Sequence, residues 1–253
     1  MDYFKQAQVR NEIKKYPVQH PLLKKYIKFF WELHIDYTQL NHKIIPQRNI
    51  NLRINLSETP HYANINDKEH LLEDVYFFGL QDHFGNVNLK ICGKVDVIGI
   101  CFYPDGFYPF LKIPISEFKN QLLGANEVGF KSVSNLKERL KGINSVEARL
   151  KLLETKLILL LKNDMYIPEK FRQLFHELQC NHNTLKISEF CKHNNIGIRK
   201  LERMYNKYVG MSANTYTTLN RFHKSTNQIL HTNYSKLSDL AYDNGFFDPT
   251  HFT

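Results

Sequence analysis

In the run INLRINL, Ile50, Leu52, Ile54 and Leu56 alternate with Asn51, Arg53 and Asn55. A period of two sends alternate side chains to opposite faces of a strand, so this run predicts one buried face and one wet face, as in an antiparallel sheet. Similar runs, IKFFWELHIDY, VYFFG, VNLKI and VDVIGICFY, fill the chain from Tyr26 to Tyr103 and are separated by turn-forming Asn, Asp, Gly and Pro. A small sandwich or barrel is the architecture expected of them. The segment YPDGFYPF, Tyr103 to Phe110, sets a Pro-Asp-Gly turn among aromatics. Such a turn either fastens the end of a strand or closes a ligand pocket.

Beyond Pro114 the pattern becomes helical to the end of the chain, with no Gly/Ser-rich or Pro-rich linker between the halves. In SVEARLKLLETKLILLLK, the residues Val146, Leu150, Leu153, Leu157 and Leu160 form a heptad seam, which would suit dimerisation. The additional Ile158, Leu159 and Leu161 widen the stripe, as in a helix packed on its own domain.

From Thr184, a plausible N-cap, LKISEFCKHNN places Ile187, Phe190 and Cys191 on one stripe. A turn from Asn195 to Gly197 leads into IRKLERMYNKYVG. At 3.6 residues per turn, Leu201, Met204, Tyr205 and Tyr208 share one side, with Arg199, Glu202, Arg203 and Asn206 opposite. Arg can pair with guanine, Asn with adenine, and Glu can accept from cytosine, so the outer face has major-groove chemistry. An ordinary solvated face with an internal Arg199 to Glu202 pair would have the same composition. The stripe recurs at Leu237, Leu240 and Ala241, again before a tight turn, Gly245 to Phe247. Asp248 can then cap a helix whose first residue is Pro249. Between the two units runs a helix opened by Ser212, with Tyr216, Leu219, Phe222, Ile229 and Leu230 on one side. Two helix-turn-helix units held by a rigid connector are the reading.

Composition agrees with this picture and narrows it. A 42% hydrophobic fraction with 13% aromatics suffices for a real core, and 253 residues suit two domains. A formal net charge of +9 favours a polyanionic partner. Cys92, Cys101, Cys180 and Cys191 form no CxxC pair and read as reduced cytosolic thiols. The N-terminus lacks a signal-peptide core, and the longest aliphatic run, Leu157 to Leu161, is too short to span a bilayer. A cytoplasmic protein without a membrane role is expected. His20, His34, His42, His61, His70 and His83 show no HxH or HExxH spacing, and no phosphate loop or nucleophile elbow occurs. Neither catalysis nor a metal or other cofactor is therefore expected.

The stretch ISEFCKHNNIGIRKLERMYNKYVGMS, then Tyr216 and Arg221-Phe222, then LSDLAYDNGFFDPTHF, resembles the DNA-binding domain of AraC-type bacterial transcription regulators. The RxLxRxY element, Arg199 to Tyr205, and the GFxDxxHF element, Gly245 to Phe252, are its specific parts. HPLLKKYIKFFWELH, IGICFYPDGFYPFLKIP and SVEARLKLLE resemble the sensory region of a subset of that family. This resemblance implies an α+β chain with a cupin-like antiparallel β domain (1–130), a helical dimerisation or linker segment (131–170) and a paired helix-turn-helix domain (171–253). It implies that Arg199, Glu202 and Arg203 meet bases in one major groove and that Pro249, Thr250 and Thr253 sit where the second helix enters the next. Lys200 and Asn206, on the same helix as the first three, are expected to add DNA contacts. Double-stranded DNA is the implied partner, with a small-molecule effector and a homodimer as further partners. The sequence departs from the family at Cys191, Gly197, Ala213 and Ser225, where Ala, Ser, Pro and Ala are usual. The family pattern continues past the position of Thr253, so the second unit is expected to be incomplete. The alternative is a module that binds a small molecule or partner without reading DNA.

Overall fold

Two long strands, β2 (Ile27–Lys43) and β7 (Val87–Phe102), pair antiparallel along nearly their whole length and organise the N-terminal half. The structure is a computed structural model that describes residues 12–44, 46–82, 87–111, 113–130, 133, 135–161, 167–180 and 186–231. Six shorter strands complete one antiparallel sheet: β1 (Lys14–Tyr16), β3 (Asn51–Asn55), β4 (His61–Ile65), β5 (Lys68–Leu71), β6 (Val75–Phe78) and β8 (Leu122–Gly124). The order is β1-β2-β7-β3-β6-β8, with β4 joined to β7 and β5 to β4. β7 serves two partners. Its second half, Val97 to Cys101, pairs with β3, and its first half, Val87 to Ile91, pairs with β4.

Two sequence expectations change here. VNLKI and VDVIGICFY, read as separate runs, form the single strand β7. The helical half also contains a strand, β8, which pairs with β6 beyond the Pro114 boundary.

Alternation holds along β3, where Leu52 and Ile54 join Val75, Phe77, Ile98, Ile100 and Phe102 in the main core. The opposite face is not wet. Asn55 is only 3% exposed, and Arg53 is half-buried. Trp31, Leu89, Ile91, Val95, Val97 and Cys101 form a second core there, drawing on both halves of β7. The strand pattern reports which side chains share a face but not what lies over that face.

Seven helices follow among the described residues: α1 (Tyr108–Leu111), α2 (Leu136–Lys141), α3 (Val146–Leu160), α4 (Glu169–Cys180), α5 (Ile187–His193), α6 (Ile198–Tyr208) and α7 (Ala213–His231). A 3-10 turn at Ile115–Phe118 lies between α1 and β8. The fold is thus α+β, with an antiparallel sheet first and helices after it.

Ser145 caps α3 by accepting from the Ala148 amide at 3.2 Å. Leu153 and Leu157, the centre of the heptad seam, are buried in the chain's own main core. Glu154 accepts from the Gln19 and His20 amides at 2.7 and 3.1 Å, and Arg149 lies 3.6 Å from Glu32. These contacts strap α3 to the β half, so the middle of the seam is closed to a second chain. Leu159, at 74% exposed, points away.

Candidate nucleic-acid interface

Phe190 and Cys191 bury α5 as the stripe predicts, and Ile187 packs on the edge of the core. Thr184, expected as the cap, lies outside the described residues; Lys186 holds the cap position without a side-chain bond. The turn to α6 passes through Asn195 at φ 48, a left-handed conformation that Asn tolerates better than most residues. Gly197 holds the cap position of α6 and offers no side chain to its amides.

On α6, Leu201, Tyr205 and Tyr208 are buried, with Met204 half-buried on the same side. Phe171 and Phe175 of α4 receive them, with ring centroids 5.5 Å (Phe171 to Tyr205), 5.0 Å (Phe171 to Tyr208) and 5.7 Å (Phe175 to Tyr205) apart. Burial pushes the Tyr205 hydroxyl far above its ordinary pKa. Burial likewise pushes Tyr216 of α7 up to about 12, and its hydroxyl accepts from Gln179 at 2.9 Å. Both phenols therefore act as neutral packing groups.

The opposite side of α6 presents Arg199, Lys200, Arg203 and Asn206, all exposed. Lys186 and Lys192 add exposed positive charge from the preceding segment. Glu202 is placed differently from its four companions. It is half-buried, and its Oε2 accepts from the Ala213 amide at 3.1 Å, so it caps the first turn of α7. Among the described residues, no ion pair joins it to Arg199. Ser212 caps the same helix, its Oγ accepting from the Thr215 amide at 3.0 Å, as the sequence suggested. The buried Tyr216 and Leu219 seat this 19-residue connector on the core. Pro249, Thr250 and Thr253, and the second unit that contains them, lie outside the described residues.

Sequence reasoning missed the seat of this unit on the β half. Tyr208 meets Tyr108 edge to face at 4.9 Å, and Lys207 lies over both rings. Arg48 hydrogen-bonds Asn220 of α7. Gly210, at φ +85, passes so close to Leu80 and the Ile115 carbonyl that a side chain there would meet them. The Gly-Met-Ser turn after α6 was the available signal. The main core consequently runs without interruption from Val18 to Leu219.

YPDGFYPF performs the fastening role. The Tyr103 amide donates to the Tyr26 carbonyl at 2.9 Å, and Phe107 packs among Phe77, Phe102, Phe110, Phe118 and Phe130. The same turn forms one wall of an open cleft of about 770 Å³, with Arg172, Phe175 and His176 of α4 opposite. Burial raises the Asp105 carboxyl above its ordinary value, and the nearby Arg172 partly offsets this.

A family model described as a domain of unknown function, DUF6597, matches residues 18–124, most of the β half. No curated protein matches the chain. Among solved structures, the chain is similar to ToxT from Vibrio cholerae O395, at 12% identity and TM-score 0.42, covering 96% of this chain and 91% of that one. A second crystal form of Vibrio cholerae ToxT aligns at 10% identity and TM-score 0.45, over 95% and 92% of the two chains. The AraC-like transcriptional activator CuxR aligns at 11% identity and TM-score 0.26, over 88% and 90%. At such identities and scores, these likenesses carry no argument about function.

Proposed function

We propose that the chain is a sequence-specific DNA-binding transcription regulator of the AraC type, not an enzyme, and that its cupin-like β half responds to a small-molecule effector. α6 enters the major groove, and Arg199, Lys200, Arg203 and Asn206 contact bases and phosphates. Glu202 sets the angle between α6 and α7, with at most its other carboxylate oxygen turned to a base. Pro249, Thr250 and Thr253 would serve the second groove. The observation that carries this reading is the division of α6 into a buried side of Leu201, Tyr205 and Tyr208 and an exposed Arg, Lys and Asn side, directly after α5 and a tight turn. No helix among the described residues is long and apolar enough to cross a membrane.

The test is selection of duplexes from a random pool by the full chain, followed by binding of the enriched sequence against a scrambled one at several salt concentrations. Affinity for the enriched duplex should exceed that for the scrambled one and fall steeply with salt as phosphate counterions are released. Arg203→Ala should cost the enriched duplex about 1–3 kcal/mol and leave the scrambled one nearly unaffected. An unenriched pool, or an Arg203→Ala variant with the native preference, would overturn the reading.

A further inference from the structure

The first turn of α6 stands clear of the rest of the chain. Gly197, Ile198, Arg199 and Lys200 are exposed in succession, and nothing lies within 4 Å of the point where a Cβ on Gly197 would stand. The turn is nevertheless closed, since the Lys200 and Leu201 amides donate to the Gly197 carbonyl at 2.9 and 3.1 Å. The core takes hold of the helix only from Leu201 onwards.

One member of this projecting turn has no polar group to offer. Ile198 is 49% exposed. The other exposed large apolar side chains among the described residues belong elsewhere: Leu22, Tyr37, Leu71 and Tyr103 to the β half, and Leu159 to α3. At 3.6 residues per turn, Ile198 falls between Glu202 and Tyr205, at the border of the charged and buried sides. Helical Cα–Cβ bonds tilt towards the N-terminus, and Ile198 is the first residue of α6. Its side chain therefore leans past the leading end of the helix, where Gly197 places no side chain over it.

A recognition helix meets base edges with its N-terminal residues. Arg199, Arg203 and Asn206 can exchange hydrogen bonds there, and Ile198 can exchange none. In the major groove the one apolar group on a base edge is the C5-methyl of thymine; cytosine, the other pyrimidine, presents an N4 amino donor and no methyl. An isoleucine suits that methyl in two ways. It brings apolar surface, and its branched Cβ holds χ1 nearly fixed, so little freedom is lost on contact.

We infer that Ile198 is a specificity-determining residue that reads the methyl group of one thymine in the site bound by α6, beside the bases met by Arg199 and Arg203. The inference rests on the DNA-reading function proposed above and adds to it a base and a residue.

The test takes the duplex enriched by the full chain and replaces each thymine in turn by deoxyuridine, which removes the methyl and leaves base pairing intact. One position should lose affinity by about fourfold, which corresponds to about 0.8 kcal/mol for one buried methyl-sized group. Ile198→Ala should bind the thymine and uracil forms of that position equally, whereas Ile198→Val, which keeps the branched apolar surface, should retain most of the ratio. Ile198 lies outside the main core, so both variants should keep the native urea midpoint. A duplex bound alike with and without each methyl would overturn the inference, as would a methyl ratio that survives in Ile198→Ala. An Ile198→Ala variant that weakens both forms but keeps their ratio would likewise overturn it, because a merely structural role predicts that result. A pool that yields no enriched duplex would refute the regulator together with the inference; an enriched duplex without methyl dependence at Ile198 would refute the inference alone.

Discussion

Gly210→Ala tests the seat of the helix-turn-helix on the β half. Gly210 joins α6 to α7 at φ +85, and a Cβ there would lie 2.5 Å from Leu80 Cδ1, 2.7 Å from the Ile115 carbonyl oxygen and 2.8 Å from the Ile115 carbonyl carbon. The end of the Leu80 side chain can turn away. The Ile115 carbonyl cannot, because it is backbone at the start of a 3-10 turn whose Ile115 and Phe118 are both buried. The left-handed conformation should cost about 1–3 kcal/mol and the overpacking about 1–3 kcal/mol more. With a urea slope of about 3 kcal/mol per molar, the upper end of the usual range as suits a chain of this length, the midpoint should fall by about 1–2 M. Because the core is continuous across the junction, far-ultraviolet dichroism, dominated by the helices, and Trp31 emission, confined to the β half, should lose their native signals together. An unchanged midpoint, or a dichroism transition clearly ahead of the Trp31 transition, would refute the reasoning.

Gly197→Ser should do the opposite: its φ of −68 is ordinary, nothing lies within 4 Å of a new Cβ, and Ser Oγ can accept from the bare first turn of α6, raising stability by about 0.5–1 kcal/mol in the same urea assay. The Leu153→Glu, Leu157→Glu double variant should lose cooperative unfolding rather than yield a folded monomer, since both leucines lie in the chain's own core; a folded monomer by light scattering and dichroism would contradict this. Burial lowers His61 to about 4, with Arg53 and Lys137 pushing the same way and Asp74 opposing. The unfolded chain therefore binds the proton first, so stability is fully present above about pH 6.5 and declines as pH falls towards 4, by about 3 kcal/mol in all. His61→Gln should flatten the difference between urea midpoints at pH 7 and pH 5; an unaltered difference would show that His61 does not carry it.

How much of this was legible in the sequence depends on how far each feature reaches along the chain. The two sides of α6 were plain from IRKLERMYNKY because the helical period is local: the backbone alone sets Leu201, Tyr205 and Tyr208 against Arg199 and Arg203. Ser212 at the head of α7 and Ile50 to Leu56 in alternation were legible for the same reason. Glu202 was not, because its partner, the Ala213 amide, returns to it only through the turn at Gly210. The seam on α3 carried no mark of its partner, since a heptad specifies a shape that a neighbouring chain or the chain's own core can fill. Arg53 shows the limit most clearly. By sequence it belonged to the solvent side of a strand, and only the second core built from β2 and both halves of β7 covered that side and left a guanidinium between two aromatic rings. Backbone periodicity determines which residues share a face; long-range strand pairing, which the sequence does not display, decides whether that face meets water or the inside of the protein.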